Sequence, residues 1–152
     1  MDWRILNSTV DSFSHYPALG HFDCVVLTAF DSEFASLRNV FGLIGVRVHH
    51  AQTLEQADFL LLTTGSTVLL CDVAFVEGSW QSALELLRDT HPMIALVIVA
   101  DPVDAPYLLD ALTLGVCTIL WKPLRFDEAR RLVRTAHEAA CERRLLLSSD
   151  IL

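Results

Sequence analysis

The chain has 152 residues, 53% of them hydrophobic, and a mean hydropathy of +0.43. Charged residues make up 20% of the chain and interrupt each apolar run well before the roughly 20 residues that a membrane-spanning helix needs, so no membrane contact is expected. The net charge of −8, from 11 basic and 19 acidic residues, disfavours direct contact with nucleic acid, which requires a broad basic surface. The opening residues (MDWR) lack the features of a secretory signal, so a cytoplasmic location is expected.

The cysteines show no metal-binding or disulfide pattern. There is no C-x-x-C pair, and three of the four lie in or beside apolar runs; the four are Cys24, Cys71, Cys117 and Cys141. Buried free thiols in a reducing compartment are predicted, ahead of zinc ligands or disulfides.

Apolar runs alternate regularly with segments of helical period. The predicted strands are residues 23–28, 46–49, 67–72, 95–100 and 118–121, and the predicted helices are residues 31–41, 53–62, 79–90, 105–114 and 126–146. Five strands alternating with five helices predict a single α/β domain, with a parallel sheet covered by helices on both faces. We interpret residues 1–21 as an N-terminal extension, 22–146 as the domain, and 147–152 as a tail or the start of a linker.

Two of the predicted strands end in a single charged residue. Asp72 closes the third strand, and Lys122, followed by Pro123, closes the fifth. Because the carboxyl ends of parallel strands share one edge, where ligand chemistry gathers in such sheets, this pair is the first candidate for a functional site.

The order of these segments resembles the receiver domain of bacterial two-component response regulators. The resemblance covers roughly residues 22–141, and it matches Asp72 to the phosphoacceptor and Lys122-Pro123 to the family's Lys-Pro. It implies a flavodoxin-like sheet with strand order 2-1-3-4-5. It also implies a site in which two acidic residues after the first strand hold Mg²⁺ and a hydroxyl ends the fourth strand.

The chain departs from that pattern at each supporting position. Ala29 and Phe30 fall where the acidic pair belongs, or Thr28 and Ala29 after a shift of one residue, and Ala100 falls at the hydroxyl position. Mg²⁺ prefers several oxygen ligands in octahedral geometry, so Mg²⁺ is not expected here, nor any other cofactor. The resemblance is therefore to a degenerate receiver, or pseudo-receiver.

In such a degenerate site Asp72 and Lys122 are predicted to form an ion pair that holds a fixed shape. The rim acids Asp101 and Asp104 are alternative partners for Lys122. A residual phosphoacceptor role for Asp72 is the competing interpretation.

The fourth helix carries apolar residues on more than one face. The resemblance implies that the fourth helix, fifth strand and fifth helix form a homodimer surface. Its candidate residues are Tyr107, Leu108, Trp121, Arg130, Arg131 and Arg134. Alternatively, some of these residues cover the N-terminal extension.

The sequence thus predicts a regulatory module that is not an enzyme and acts without phosphorylation. It would dimerise or contact an effector protein or output domain, as the N-terminal part of a transcriptional regulator. Two alternatives remain: a receiver still phosphorylated on Asp72 by a histidine kinase, and a domain that senses a small anionic ligand near Lys122.

Overall fold

A computed structural model describes the backbone of residues 21–151 and the side chains of residues 21–147. Its strands are β1 (Phe22–Leu27), β2 (Val46–Ala51), β3 (Val68–Asp72), β4 (Ala74–Phe75), β5 (Gly78–Ser79), β6 (Ala95–Ala100) and β7 (Thr118–Trp121). Its α-helices are α1 (Asp31–Gly42), α2 (Leu54–Thr64), α3 (Trp80–Thr90), α4 (Ala111–Leu114) and α5 (Phe126–Ile151), and a 3-10 helix spans Pro102–Leu108.

Five parallel strands form the main sheet in the order β2-β1-β3-β6-β7. This order confirms the predicted flavodoxin-like arrangement, since β6 and β7 are the fourth and fifth strands of that sheet. Alternate side chains of a strand point to opposite faces of the sheet. Because nearly every residue of β3 and β6 is buried, both faces of these central strands are covered. One face packs against α2, α3 and α4, and the other against α1 and α5.

The predicted helix at residues 105–114 is wrong in form. The chain instead makes the 3-10 helix Pro102–Leu108 and then the short α4. Pro106 lies within the 3-10 helix and has no backbone N–H, so an α-helix that began with Pro102 would lose an i→i−4 hydrogen bond at this position. The backbone N–H of Asp101 donates to the carboxylate of Asp104 (3.2 Å), which fixes the start of the 3-10 helix.

Three further differences concern the boundaries of elements. The hairpin formed by β4 and β5 between β3 and α3 was not predicted. Strand β2 extends two residues beyond the predicted end at 49, and α5 continues without a break past the predicted boundary at 146. Residues 1–20 of the predicted extension lie outside the described residues. No helix in the described part is long and apolar enough to cross a membrane.

All four cysteines are free, as predicted, but only two are fully buried. Cys24 and Cys71 lie inside the sheet, and burial raises the pKa of both thiols. Cys117 and Cys141 are partly exposed.

Candidate functional site at the carboxyl edge of the sheet

Asp72, the last residue of β3, lies beside the end of β1. The register of the two strands pairs Leu27 with Cys71, which brings the next residue of the chain, Thr28, alongside Asp72. The Thr28 hydroxyl donates a 2.6 Å hydrogen bond to Oδ2 of Asp72 and accepts one from the backbone N–H of Phe30 (3.3 Å). Because Thr28 is fully buried, its hydroxyl fixes this carboxylate oxygen from inside the protein.

Lys122, which follows β7, pairs with Glu33 and not with Asp72. The Nζ atom of Lys122 lies 2.8 Å from Oε1 of Glu33 in the first turn of α1. The predicted Asp72–Lys122 ion pair is therefore wrong. The physical reason is local: Glu33 reaches the ammonium from α1, while Asp72 is hydrogen-bonded to Thr28.

The rim acids do not replace Glu33 as the partner of Lys122. Asp104 accepts the hydrogen bond from Asp101 at the start of the 3-10 helix, and the charge of Asp101 acts on Lys122 without a direct bond. Asp101 is therefore part of the negative surroundings of the ammonium, and the prediction that Asp101 or Asp104 could be its ion-pair partner is wrong.

The two central groups have shifted acid–base properties. Burial raises the pKa of Asp72; the Thr28 hydrogen bond and the Lys122 charge oppose this increase only in part. Burial by itself lowers the pKa of Lys122, but the hydrogen bond and charge of Glu33, together with Asp72 and Asp101, leave it raised. The structure thus favours a charged Lys122 and makes ionisation of Asp72 less favourable.

The positions that hold two acids in receivers carry no carboxylate here, and the position that holds a hydroxyl at the end of the fourth strand is an alanine. Of the two sequence alignments, Thr28 with Ala29 fits the contacts, because Thr28 is the residue beside Asp72 and the Phe30 side chain is 64% exposed. The placement of the acidic positions at Ala29 and Phe30 is corrected accordingly. Ala100 is buried at the end of β6, and its carbonyl accepts the backbone N–H of Lys122 (2.8 Å).

This set of residues does not fit Mg²⁺. Within the described part of the chain, no group of three or more His, Cys, Asp or Glu side chains is placed to hold a metal ion. Asp72 and Glu33 are the acids bonded at the site, and Glu33 already pairs with an ammonium. A divalent ion that requires near-octahedral oxygen ligands would have to displace that ammonium.

Sequence reasoning missed Glu33 and the role of Thr28, and it missed His50 as well. The Nε2–H of His50 donates to the backbone carbonyl of Thr28 (3.0 Å), and its ring stacks on Phe34 at 4.4 Å between centroids. The position of Glu33 carried a usable signal. An acidic residue in the first turn of the helix after β1 lies next to the carboxyl edge of the sheet, where Lys122 follows β7.

The predicted interface is only partly at the surface. Leu108 is 4% exposed and belongs to the core, so its assignment to an interface is wrong. Tyr107 is 72% exposed, and Trp121 is partly buried against the core cluster that contains α2 and α3. On α5, Arg131 is exposed, while Arg130 and Arg134 are partly buried. Around Tyr107 the exposed apolar side chains are Val103, Leu109, Leu112 and Leu114.

Comparison with known proteins gives structural relatives only. No family model matches the chain, and no curated protein matches its sequence. The signal receiver domain of a putative LuxO repressor protein from Vibrio parahaemolyticus is similar, with 13% identity, a TM-score of 0.72, and coverage of 83% of this chain and 97% of that one. A response regulator receiver domain protein from Clostridium thermocellum is also similar, with 19% identity, a TM-score of 0.66, and coverage of 83% of this chain and 98% of that one.

NtrX from Brucella abortus, solved in complex with ADP, is similar over 86% of this chain but only 29% of its own, with 16% identity and a TM-score of 0.70. At these identities the likeness shows the fold. The chain has the flavodoxin-like fold of response-regulator receiver domains.

Proposed function

We propose that this chain is a pseudo-receiver: a regulatory module that works through protein contacts and without Mg²⁺-dependent phosphorylation. The observation that carries the proposal is the 2.8 Å pairing of Lys122 with Glu33, beside an Asp72 bonded to Thr28. The two residues that match the family's reactive pair each have a partner that the family pattern does not contain.

The chemistry of phosphoryl transfer explains why these partners matter. Transfer to a carboxylate depends on cations that neutralise the phosphoryl oxygens as charge develops on them. Here the Lys122 charge is balanced by Glu33, and no described acid completes a Mg²⁺ site with Asp72. An incoming phosphoryl group would therefore meet Asp72, Glu33 and Asp101 with little compensating positive charge.

The direct test is incubation of the protein with Mg²⁺ and either acetyl phosphate or beryllofluoride. Intact-mass analysis should show no phosphoryl adduct, and ¹⁹F NMR should show no bound beryllofluoride. An active receiver domain serves as the positive control, and Asp72→Asn identifies the site of any adduct. A stoichiometric adduct that disappears in Asp72→Asn contradicts the proposal.

We also propose that the module forms a homodimer through the 3-10 helix, α4, β7 and α5. Val103, Tyr107 and Leu109 are each more than 70% exposed there. No Lys or Arg occurs between residues 89 and 121, so this apolar surface carries only acidic charge, whereas α5 carries several arginines. Two copies could therefore set the acidic, apolar surface of one against the basic helix of the other.

Sedimentation velocity on wild type and Tyr107→Glu tests this surface. The substitution should shift a concentration-dependent dimer to monomer, because it removes the exposed ring of Tyr107 and would bury a charge in the apolar part of the interface. Phe59→Glu is the matched control, since Phe59 is a similarly exposed aromatic residue on α2 and should leave the dimer intact. A monomeric wild type, or equal effects of both variants, contradicts the proposal.

For the wider role, we propose a cytoplasmic, non-enzymatic module joined to an output domain of a transcriptional regulator. One structural relative is the receiver domain of a LuxO repressor protein, and only 29% of NtrX is matched by this chain; both observations support this context. In a reporter assay of the full gene product, Asp72→Asn should leave output unchanged and Tyr107→Glu should alter it. Loss of output in Asp72→Asn contradicts phosphorylation independence.

A further inference from the structure

A groove of about 210 Å³ lies at the amino edge of the sheet, opposite the edge that carries Asp72. Leu84 and Leu87 of α3, Ile94 just before β6, and Leu96 within β6 form its apolar lining. Leu87, Ile94 and Leu96 are at most 9% exposed, so the groove reaches into the core. Its floor suits a hydrocarbon group and offers no polar side chain to bind.

Two guanidinium groups line the same groove. Arg88 donates from Nη2 to the backbone carbonyl of Leu114 (2.8 Å), which fixes its head group, and Arg143 enters from α5. Arg143 is close enough to Cys117 for its charge to oppose the rise in that thiol's pKa caused by burial. Among residues 21–147, neither arginine has a carboxylate partner.

Arg88 and Arg143 are distinguished by their position in the groove. Arg144 also has no carboxylate partner among the described residues, but of these three arginines only Arg88 and Arg143 line the apolar groove. Arginine presents a planar fork of N–H donors that matches a carboxylate, and Arg88 still has donors that no described residue accepts. The groove therefore combines an apolar floor with cationic donors for which no described residue supplies a carboxylate.

We propose that this groove, hereafter the Arg88–Arg143 groove, binds a small carboxylate with an aliphatic tail. The tail packs on Leu87, Ile94 and Leu96, and the carboxylate accepts from Arg88 and Arg143. The volume lies below the roughly 300 Å³ of pockets for drug-sized ligands, which limits the ligand to a short tail. This site differs from the one expected near Lys122, where Glu33 already neutralises the cation.

The test is a titration of the ¹⁵N-labelled protein with octanoate, followed by ¹H–¹⁵N NMR. Amides of residues 84–96 and 114–115 should shift saturably, with a Kd on the order of 1 mM, as expected for a ligand of this size. Arg143→Gln should weaken binding about tenfold, the usual effect of one charge-assisted contact. Arg144→Gln is the matched control, because Arg144 is its neighbour on α5 and does not line the groove.

Octanol, which has the same tail without the charge, should bind at least tenfold more weakly than octanoate. Three outcomes would overturn the proposal. They are equal affinity for octanoate and octanol, equal weakening of binding by Arg143→Gln and Arg144→Gln, and no saturable shift at octanoate concentrations up to about ten times the expected Kd. Arg143 is exposed, so its variant should fold, and its amide spectrum verifies this. The titration contains neither Mg²⁺ nor a phosphodonor, so phosphorylation of Asp72 would overturn the proposed function and leave this inference standing.

Discussion

The ammonium of Lys122 lies 2.8 Å from the carboxylate of Glu33, across the gap between the end of β7 and the first turn of α1. Each side chain is about a quarter exposed, with values of 26% for Lys122 and 27% for Glu33. The bond joins the residue that follows the edge strand β7 to α1, the helix that follows β1. It also gives Lys122 an ion-pair partner other than Asp72, although the Lys122 charge still acts on Asp72.

A double-mutant cycle of Glu33→Ala and Lys122→Ala should measure this pair. We expect a coupling free energy of about 0.5–1 kcal/mol, because partial exposure screens the charges. Glu33→Gln alone should lower the pKa of Lys122, since Glu33 supplies the hydrogen bond and the leading charge that raise it. Urea unfolding and NMR titration of Lys122 provide the two readouts.

The pair of Asp23 and Arg47 is the comparison for that cycle. Arg47 is 75% exposed, so its coupling to Asp23 should be smaller than that of Glu33 to Lys122. Coupling near zero for Glu33 and Lys122, with an unchanged pKa of Lys122 in Glu33→Gln, would show that the contact does not persist in solution.

Asp72→Asn should stabilise the folded protein at neutral pH. Burial raises the pKa of Asp72 above that of an unfolded aspartate, about 3.9. The stability that Asp72 contributes is therefore present below pH 4 and is lost as the pH rises through the folded-state pKa. The variant lacks this loss, so its free energy of unfolding should exceed that of wild type at pH 7, and the difference should shrink towards pH 4.

Urea unfolding of both proteins at several pH values checks this sign. Asp89→Asn, an exposed change on α3, is the control and should show no such convergence. A difference between Asp72→Asn and wild type that stays constant from pH 4 to 7 would mean that the pKa of Asp72 is not raised in the folded state.

The sheet could be predicted from the sequence because its central strands are buried on both faces. Runs such as Ala95–Ala100 are apolar at every position, and each one is followed by a helical segment. The segment at 102–114 could not be predicted in the same way. Its apolar residues have helical spacing, but Pro106 removes a backbone donor in the middle of the run, and the 3-10 geometry that results depends on Asp101 and Asp104.

The site was harder to predict than the fold. The absence of acidic and hydroxyl groups at Ala29 and Ala100 could be read directly from the sequence. The partner of Lys122 could not, because Glu33, Asp72 and Asp101 are all near it and the choice depends on side-chain reach. Likewise, the two alignments of the acidic pair, Thr28 with Ala29 or Ala29 with Phe30, differ by one residue. Only the pairing of β1 with β3 shows that Thr28 lies beside Asp72.

The hairpin between β3 and α3 should respond in opposite ways to two neighbouring substitutions. Glu77 has a φ of 62°, in the left-handed region, so Glu77→Gly should stabilise the protein by about 0.5–1 kcal/mol. Gly78→Ala should destabilise it by about 1–3 kcal/mol, because the new Cβ would lie 2.7 Å from the ring of Phe75, which is buried. Thermal or urea unfolding measures both. Equal effects of the two variants would contradict this description of the turn.

Restoring the missing oxygens should restore receiver chemistry if Thr28 and Ala29 occupy the acidic positions. The variant Thr28→Asp/Ala29→Asp/Ala100→Thr places two carboxylates beside Asp72 and a hydroxyl at the end of β6, so it should gain Mg²⁺ and beryllofluoride binding that wild type lacks. Its stability should fall in the absence of Mg²⁺, because Thr28 is fully buried and an aspartate there would face Asp72. Isothermal titration with Mg²⁺ and ¹⁹F NMR of beryllofluoride provide the measurements.

The matched control, Ala29→Asp/Phe30→Asp/Ala100→Thr, follows the other alignment. It should bind neither Mg²⁺ nor beryllofluoride, because the side chain at position 30 points to solvent. Binding by the control but not by the first variant would reverse the assignment of the two acidic positions.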